Sequence, residues 1–184
     1  MSERSESETK IAINRAPVLA LWAAVVAGRL GFDRDEALTL GRAVSGLNAQ
    51  SKGRRLGLFH PPGAAEAGKR ARERSGGLEV ELLGRRIPAR RTAAGLRTVG
   101  KGGRPDSPEA VERYLVSKFG DALAEARAAM RALAGSRDRA TLAAEAFALY
   151  EAFRPEVPRG RGGWGAKGVL DLARVRALAR RPRG

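Results

Sequence analysis

Three groups of residues in this chain have the types and spacing to do chemistry, and the chemistry is the same in each: neutralising phosphate. Lys52, Arg54 and Arg55 crowd four positions, and Arg85, Arg86, Arg90 and Arg91 fall within seven. Arg159, Arg161 and Lys167 surround Trp164 in the run RGRGGWGAKG. Guanidinium and ammonium groups donate charge-assisted hydrogen bonds to phosphate oxygens. Glycines let the backbone approach a phosphate closely, and an indole offers a face for a base to stack on. Each group also has a plainer reading. Lys and Arg suit the end of a helix, where the dipole is negative, and Trp164 can equally dock into the protein's own core.

Catalytic chemistry finds little to work with. The chain has no cysteine and a single histidine, His60. Disulfides, thiol catalysis, imidazole zinc sites and Ser-His-Asp triads are thereby excluded. The densest carboxylates, Glu109, Glu112, Asp121 and Glu125, have the spacing of an exposed helix surface with arginines nearby. Gly160, Gly162 and Gly165 spell GxGxxG. A dinucleotide site needs a strand before that pattern, a helix directly after it and an acidic residue about twenty positions on. RPEVPR precedes it and the required acid is missing, so no cofactor is expected. A Walker loop fails too, because Gly165 is followed by Ala166-Lys167-Gly168. No metal site is expected.

The formal charge of +15 is large for 184 residues. Abundant Ala, Gly and Arg match a GC-rich bacterial genome, but genome composition alone does not unbalance acids and bases this far. The excess is localised. Residues 52–104 carry fourteen basic against four acidic groups, and residues 154–184 carry nine against two. Residues 1–51 are balanced at six each, and 105–153 are slightly acidic at eight against six. Solubilising charge is normally mixed in sign, so two one-signed segments on a neutral scaffold point to a polyanionic partner.

The elements that must position these groups can be read from periodicity. Residues 1–10 are polar and expected to be disordered. APVLALWAAVVAG is apolar nearly all round, which predicts a buried helix from Asn14 to Arg29 with Pro17 in its first turn and Trp22 in the core. At about twelve residues this apolar run is too short for a membrane span. Asp33 and Glu36 have capping-box spacing. The second helix should carry Ala37, Leu40, Val44, Leu47 and Ser51 on one face, and Gly41 and Gly46 imply close helix contact or a break near Gly46. Residues 61–77 read as a flexible loop.

Leu78, Val80 and Leu82 alternate with Glu79 and Glu81, which predicts a half-buried strand. Gly84 begins a turn into Ile87–Thr92, where Pro88 implies an edge or a bulge. A third strand at Leu96–Val99 is possible. After a linker, Ser107-Pro108 opens the first of three helices running to Phe153, with Ser136 capping the last of them. Tyr114, Phe147, Tyr150 and Phe153 are assigned to the core. The 154–184 tail should end in a short helix from Asp171 to Arg181, docked or mobile.

The fold class expected is mainly α (α+β), a helical core over 11–153 with a small antiparallel hairpin or three-stranded element. A standard helix-turn-helix fits poorly. With the turn at Gly46, Arg42 and Lys52 fall where small and apolar residues belong. The order of helices, basic extension and basic hairpin is nonetheless that of a winged helix. The expected function is binding of nucleic acid, DNA ahead of RNA, in the cytoplasm and away from membranes. Two alternatives stand beside it: a non-catalytic adaptor or structural protein for an acidic protein or ribonucleoprotein, and an enzyme acting on nucleic acid or a phosphorylated substrate through carboxylates assembled in three dimensions.

Overall fold

The computed structural model describes residues 9–55, 77–100, 102–157, 160 and 167–181, with the side chains of 50–55 excluded. His60, most of the 61–77 loop, Arg159, Arg161 and Trp164 lie outside that set. The architecture is mainly helical with two small antiparallel sheets.

Helix α1 (Arg15–Leu30) is the centre of the molecule, and Pro17–Ala27 are buried without interruption. Asn14 stands at the N-cap in extended conformation, but its side chain makes no cap bond. The helix ends in a Schellman turn. Gly31 adopts φ 115°, a conformation that strains any residue with a Cβ, and Phe32 N–H donates to the Ala27 carbonyl at 3.1 Å. Trp22 is fully buried. Its indole donates to the Ala146 carbonyl at 2.8 Å, and its ring meets Phe153 edge to face at 5.3 Å. The core assignment is met, and the one polar atom of the ring has its partner.

Helix α2 (Arg34–Arg55) returns antiparallel along α1. Its start is a reciprocal capping box: Glu36 N–H donates to Asp33 Oδ1 at 2.8 Å, and Asp33 N–H donates to Glu36 Oε1 at 3.1 Å. The two glycines differ in role. A Cβ at Gly41 would stand 2.7 Å from Ala24 N and closer still to the Ala20 carbonyl, so Gly41 is where the backbones touch. A turn later the Ser45 hydroxyl donates to the Ala16 carbonyl at 2.8 Å. At Gly46 a Cβ would meet nothing within 4 Å, and the helix runs through without a break.

Helices α3 (Pro108–Phe119), α4 (Leu123–Gly135) and α5 (Arg139–Phe153) complete the cover of α1. A single 3-10 turn, Gly120–Ala122, separates the first two. Ser107 caps α3 by accepting from Ala110 N at 3.2 Å, with Pro108 at its first position. The cap of α5 is Asp138, which accepts from Thr141 N at 2.8 Å. Ser136, assigned to that role from sequence, instead closes α4, its hydroxyl donating to the Leu133 carbonyl at 2.7 Å. The carboxylate two residues on is the stronger acceptor for a helix N-terminus. Tyr150 and Phe153 are buried, while Tyr114 and Phe147 are half-buried at the margin. Arg42 of α2 lies over the Tyr114 ring at 4.3 Å from its centroid, a cation–π contact that joins α2 to α3.

The last described segment packs onto the core. Strand β5 (Gly168–Asp171) pairs antiparallel with β1 (Lys10–Ile13), from Lys10↔Asp171 to Ile13↔Gly168. Asp171 then caps α6 (Leu172–Arg180), accepting from Ala173 N at 2.9 Å. Leu170, Leu172, Val175 and Leu178 are buried, so the core extends beyond residue 153.

Two predictions follow from this packing. Gly41→Ala should destabilise by about 2 kcal/mol or more, because backbone atoms face the new methyl and the helices must part. Gly46→Ala should stabilise by about 0.5–1 kcal/mol. Denaturant midpoints at unchanged m-value check both, and equal shifts would refute the contact at Gly41. The second concerns Tyr150, whose phenol is pushed up to about 12 by burial against the opposing charges of Arg15 and Arg154. Burial also raises Tyr114. The folded state therefore holds these protons after the unfolded chain, with a phenol pKa near 10, has released them. Stability should be unaffected below about pH 10 and fall as pH rises from there to about 12. Tyrosinate absorbance during alkaline titration should show Tyr150 ionising only near pH 12, well after a free phenol.

Candidate nucleic-acid interface

Strands β2 (Glu79–Leu82), β3 (Arg85–Thr92) and β4 (Gly95–Thr98) form a meander with β3 in the middle. The edge or bulge inferred from Pro88 is therefore not what the sheet shows, and the register shows why. β2 pairs with the first half of β3, ending at Glu79↔Pro88, and β4 pairs with the second half, starting at Ala89↔Thr98. Pro88 stands at the hand-over, where its missing N–H interrupts neither ladder. The β2–β3 turn is Leu83-Gly84, both with positive φ, at 49° and 71°. Such a turn matches the twist of the strands, but it strains Leu83 by about 1–2 kcal/mol. Leu83 is buried, which offsets that cost.

The meander is fastened to α2 along the free edge of β4. Leu96 N–H donates to Glu36 Oε2 at 2.9 Å, so Glu36 serves the capping box with one oxygen and the sheet edge with the other. The Thr98 hydroxyl contacts the Thr39 carbonyl at 3.3 Å and Asp106 Oδ2 at 2.5 Å. A covered edge cannot recruit another strand. Arg97 is only 6% exposed. It donates to the Leu96 and Ala94 carbonyls at 2.7 and 3.0 Å and lies 3.7 Å from Asp35. Arg97 is thus a structural cation, and sequence reasoning did not single it out. Strand alternation alone would put it on the outer face beside its partner Arg90, so no local signal marked it.

The strand period divides the hairpin arginines. Ile87 and Ala89 are buried beneath β3, and Arg86 and Arg90 are exposed on its outer face. Arg85 and Arg91 belong to the inner parity, at its two ends. Arg85 is half-buried and reaches α2, donating through Nη2 to Asn48 Oδ1 at 3.2 Å. Lys52, Arg54 and Arg55 occupy the last turn of α2. Lys52 follows Asn48 by one turn, about 6 Å along the axis. The start of β3 and the end of α2 are therefore neighbours. The register also sets Glu81 directly opposite Arg86, so the outer face is mixed in sign on its β2 side.

The third group is placed differently. Lys167 is exposed and precedes β5, which pairs with β1 and leads into α6 against α4. The meander's partner is α2. Arg159, Arg161 and Trp164 are outside the described residues.

A cleft of about 530 Å³ lies between the start of α2 and α3 and does collect carboxylates: Asp35, Glu109 and Glu112. Each is already engaged. Glu112 takes two hydrogen bonds from Arg127, at 2.8 and 3.0 Å, and Asp35 lies 3.8 Å from Arg34. Glu109 accepts from the Ser107 hydroxyl at 3.0 Å. A backbone hydrogen bond and that hydroxyl hold its carboxyl below the usual range, the state of an ionised acceptor and not of a general acid. Among the described residues no group of three or more His, Asp or Glu could hold a metal ion, and no helix is long and apolar enough to cross a membrane.

Glu36→Ala should cost about 1–3 kcal/mol, through the cap and the unsatisfied Leu96 donor together. Amide exchange at Leu96 should accelerate well beyond that at Val80, while Glu36→Gln should keep most of the protection. Unchanged exchange at Leu96 in Glu36→Ala would show that β4 is held by other contacts. No family model, curated protein or solved structure matches this chain, so its function has to be read from this geometry.

Proposed function

We propose that this chain binds nucleic acid, duplex DNA ahead of RNA, through phosphate contacts from the end of α2 and the basic hairpin. The observation that carries the reading is the Arg85–Asn48 hydrogen bond. It sets the hairpin beside the segment where the chain changes from balanced charge to fourteen basic against four acidic groups. Lys52, Arg54 and Arg55 form one contact, and Arg85, Arg86, Arg90 and Arg91 form the second. Arg159, Arg161, Trp164 and Lys167 supply a third from the Gly/Arg-rich segment, with Trp164 able to stack. Counterion release provides most of the affinity.

Duplex DNA is favoured by the shape of the element. A β-ribbon with outward arginines fits the B-form major groove, whereas the major groove of A-form RNA is too narrow for side chains to read. Arginines on such a ribbon can take phosphates or guanine edges, and Glu81 on β2, opposite Arg86, argues for β3 as the contact, not β2.

Affinity for a short duplex should fall steeply with salt, by a log–log slope of about −0.9 per phosphate neutralised. Arg86→Glu with Arg90→Glu, both exposed, should weaken binding about tenfold or more and flatten the slope by about two units. Arg113→Glu with Arg139→Glu, on α3 and α5, should do much less. Fluorescence anisotropy reads all of these. No binding at about 50 mM salt, or equal losses from the two pairs, would overturn the proposal. Tighter binding to a single-stranded RNA of the same length would reassign the partner.

A further inference from the structure

Helix α1 carries Leu21, Ala24, Val25 and Gly28 along one face, and where α2 and α4 diverge from that face they leave a cleft of about 430 Å³. Its floor is apolar, with Leu38 of α2 and Ala134 of α4 closing the sides. Its polar lining consists of guanidinium groups: Arg29 from α1, Arg34 from α2, and Arg127 and Arg131 from α4. No Asp or Glu lines it among the described residues.

The charges are only partly compensated, four guanidinium groups against two carboxylates outside the cleft. Arg127 and Arg34 share Glu112, at 2.8 and 3.8 Å, and Arg34 also lies 3.8 Å from Asp35. Arg29 donates one hydrogen bond, to the Arg137 carbonyl at 3.2 Å, and its Nε is buried without an acceptor among the described residues. Arg131 is exposed and makes no ion pair or hydrogen bond among the described residues. A partly desolvated guanidinium without a counter-charge is costly, and an anion held close to it relieves that cost. Apolar floor and cationic rim together define the guest.

We propose that this cleft binds a small amphipathic anion, a carboxylate or phosphate ester carried on an apolar body, with the body against Leu21, Val25 and Leu38 and the anion among Arg29, Arg34, Arg127 and Arg131. The volume suits a ligand of drug-like or fatty-acyl size. Gly28 keeps the cleft open. A Cβ there would meet nothing within 4 Å, so the backbone leaves room for a larger side chain to intrude on the cleft. The site uses none of the residues assigned to nucleic-acid contact, and it stands or falls independently of that assignment.

Calorimetric titration of the full chain with decanoate and with decyl phosphate, both below micelle formation, tests it. Each should bind once per chain, with a Kd on the order of 100 µM or tighter for a ligand of about a dozen non-hydrogen atoms. Inorganic phosphate should bind at least tenfold more weakly, and decyltrimethylammonium should not bind. Gly28→Leu should abolish binding while the thermal midpoint holds or rises. Arg131→Gln, at an exposed position, should weaken both anions severalfold even if Gly28→Leu disturbs the fold. A preference for decyl phosphate over decanoate would assign the anion as phosphate, and the reverse as carboxylate. Equal binding of the cationic amphiphile, equal binding of inorganic phosphate, undiminished binding by a folded Gly28→Leu chain, or no effect of Arg131→Gln would each overturn the proposal.

Discussion

Helix α1 is apolar on every side, and the rest of the molecule is arranged to keep water from it. A helix with one apolar stripe needs one partner, but one buried through the whole of Pro17–Ala27 needs them all round. α2 supplies the closest, touching backbone to backbone at Gly41. α4 and α5 supply the opposite sides, and Trp22 ties the arrangement down by finding a carbonyl on α5 for its only polar atom. Because the aromatic content is just 5%, this core relies on Ala, Leu and Val, whose small volumes demand short interhelical distances. The cleft beside Gly28 is one place where that demand is not met.

The meander adds a polar register to the same apolar packing. Leu82, Ile87, Ala89 and Leu96 join the core that α2 also faces. Polar groups then fix its position on α2: Glu36 on Leu96 N–H, Thr39 on Thr98, Asn48 on Arg85. The first turns of α2 hold β4 and a later turn holds the start of β3, so one helix sets both the tilt and the position of the ribbon. Arg97 is absorbed in this attachment, leaving Arg86 and Arg90 as the outward-facing pair. Scaffold and candidate interface are thus distinguished by burial and not by residue type.

Local signals were legible in the sequence and non-local ones were not. The Asp33–Glu36 box, the Ser107-Pro108 start, the all-round apolar run and the Leu78–Leu82 alternation each lie within one element, and each appears where its chemistry places it. Strand β5 could not be read. Its four residues, GVLD, have no period long enough to register, and its partner lies at the other end of the chain. Pro88 misled because its rule concerns an N–H that a neighbour needs, and whether one is needed depends on a register fixed by two other strands. Of the candidate contacts, the basic clusters were visible, but the division of 85/91 from 86/90 follows from which parity covers Ile87 and Ala89. The four cleft arginines come from three helices, so no window of sequence contains them.

The β1–β5 pairing has a consequence for the order of events as the chain is made. Lys10–Ile13 leaves the ribosome early and has no strand to pair with until Gly168–Asp171 follows. The helices between can already pack, since α1 finds α2 at once and α3 to α5 in turn. During that interval Ile13 has no strand beside it, and the core is still without Leu170, Leu172 and Val175. Pairing β1 with β5 is therefore a late step that seals the apolar interior, and a chain stopped short of residue 168 would keep an unsealed flank open to proteases and chaperones.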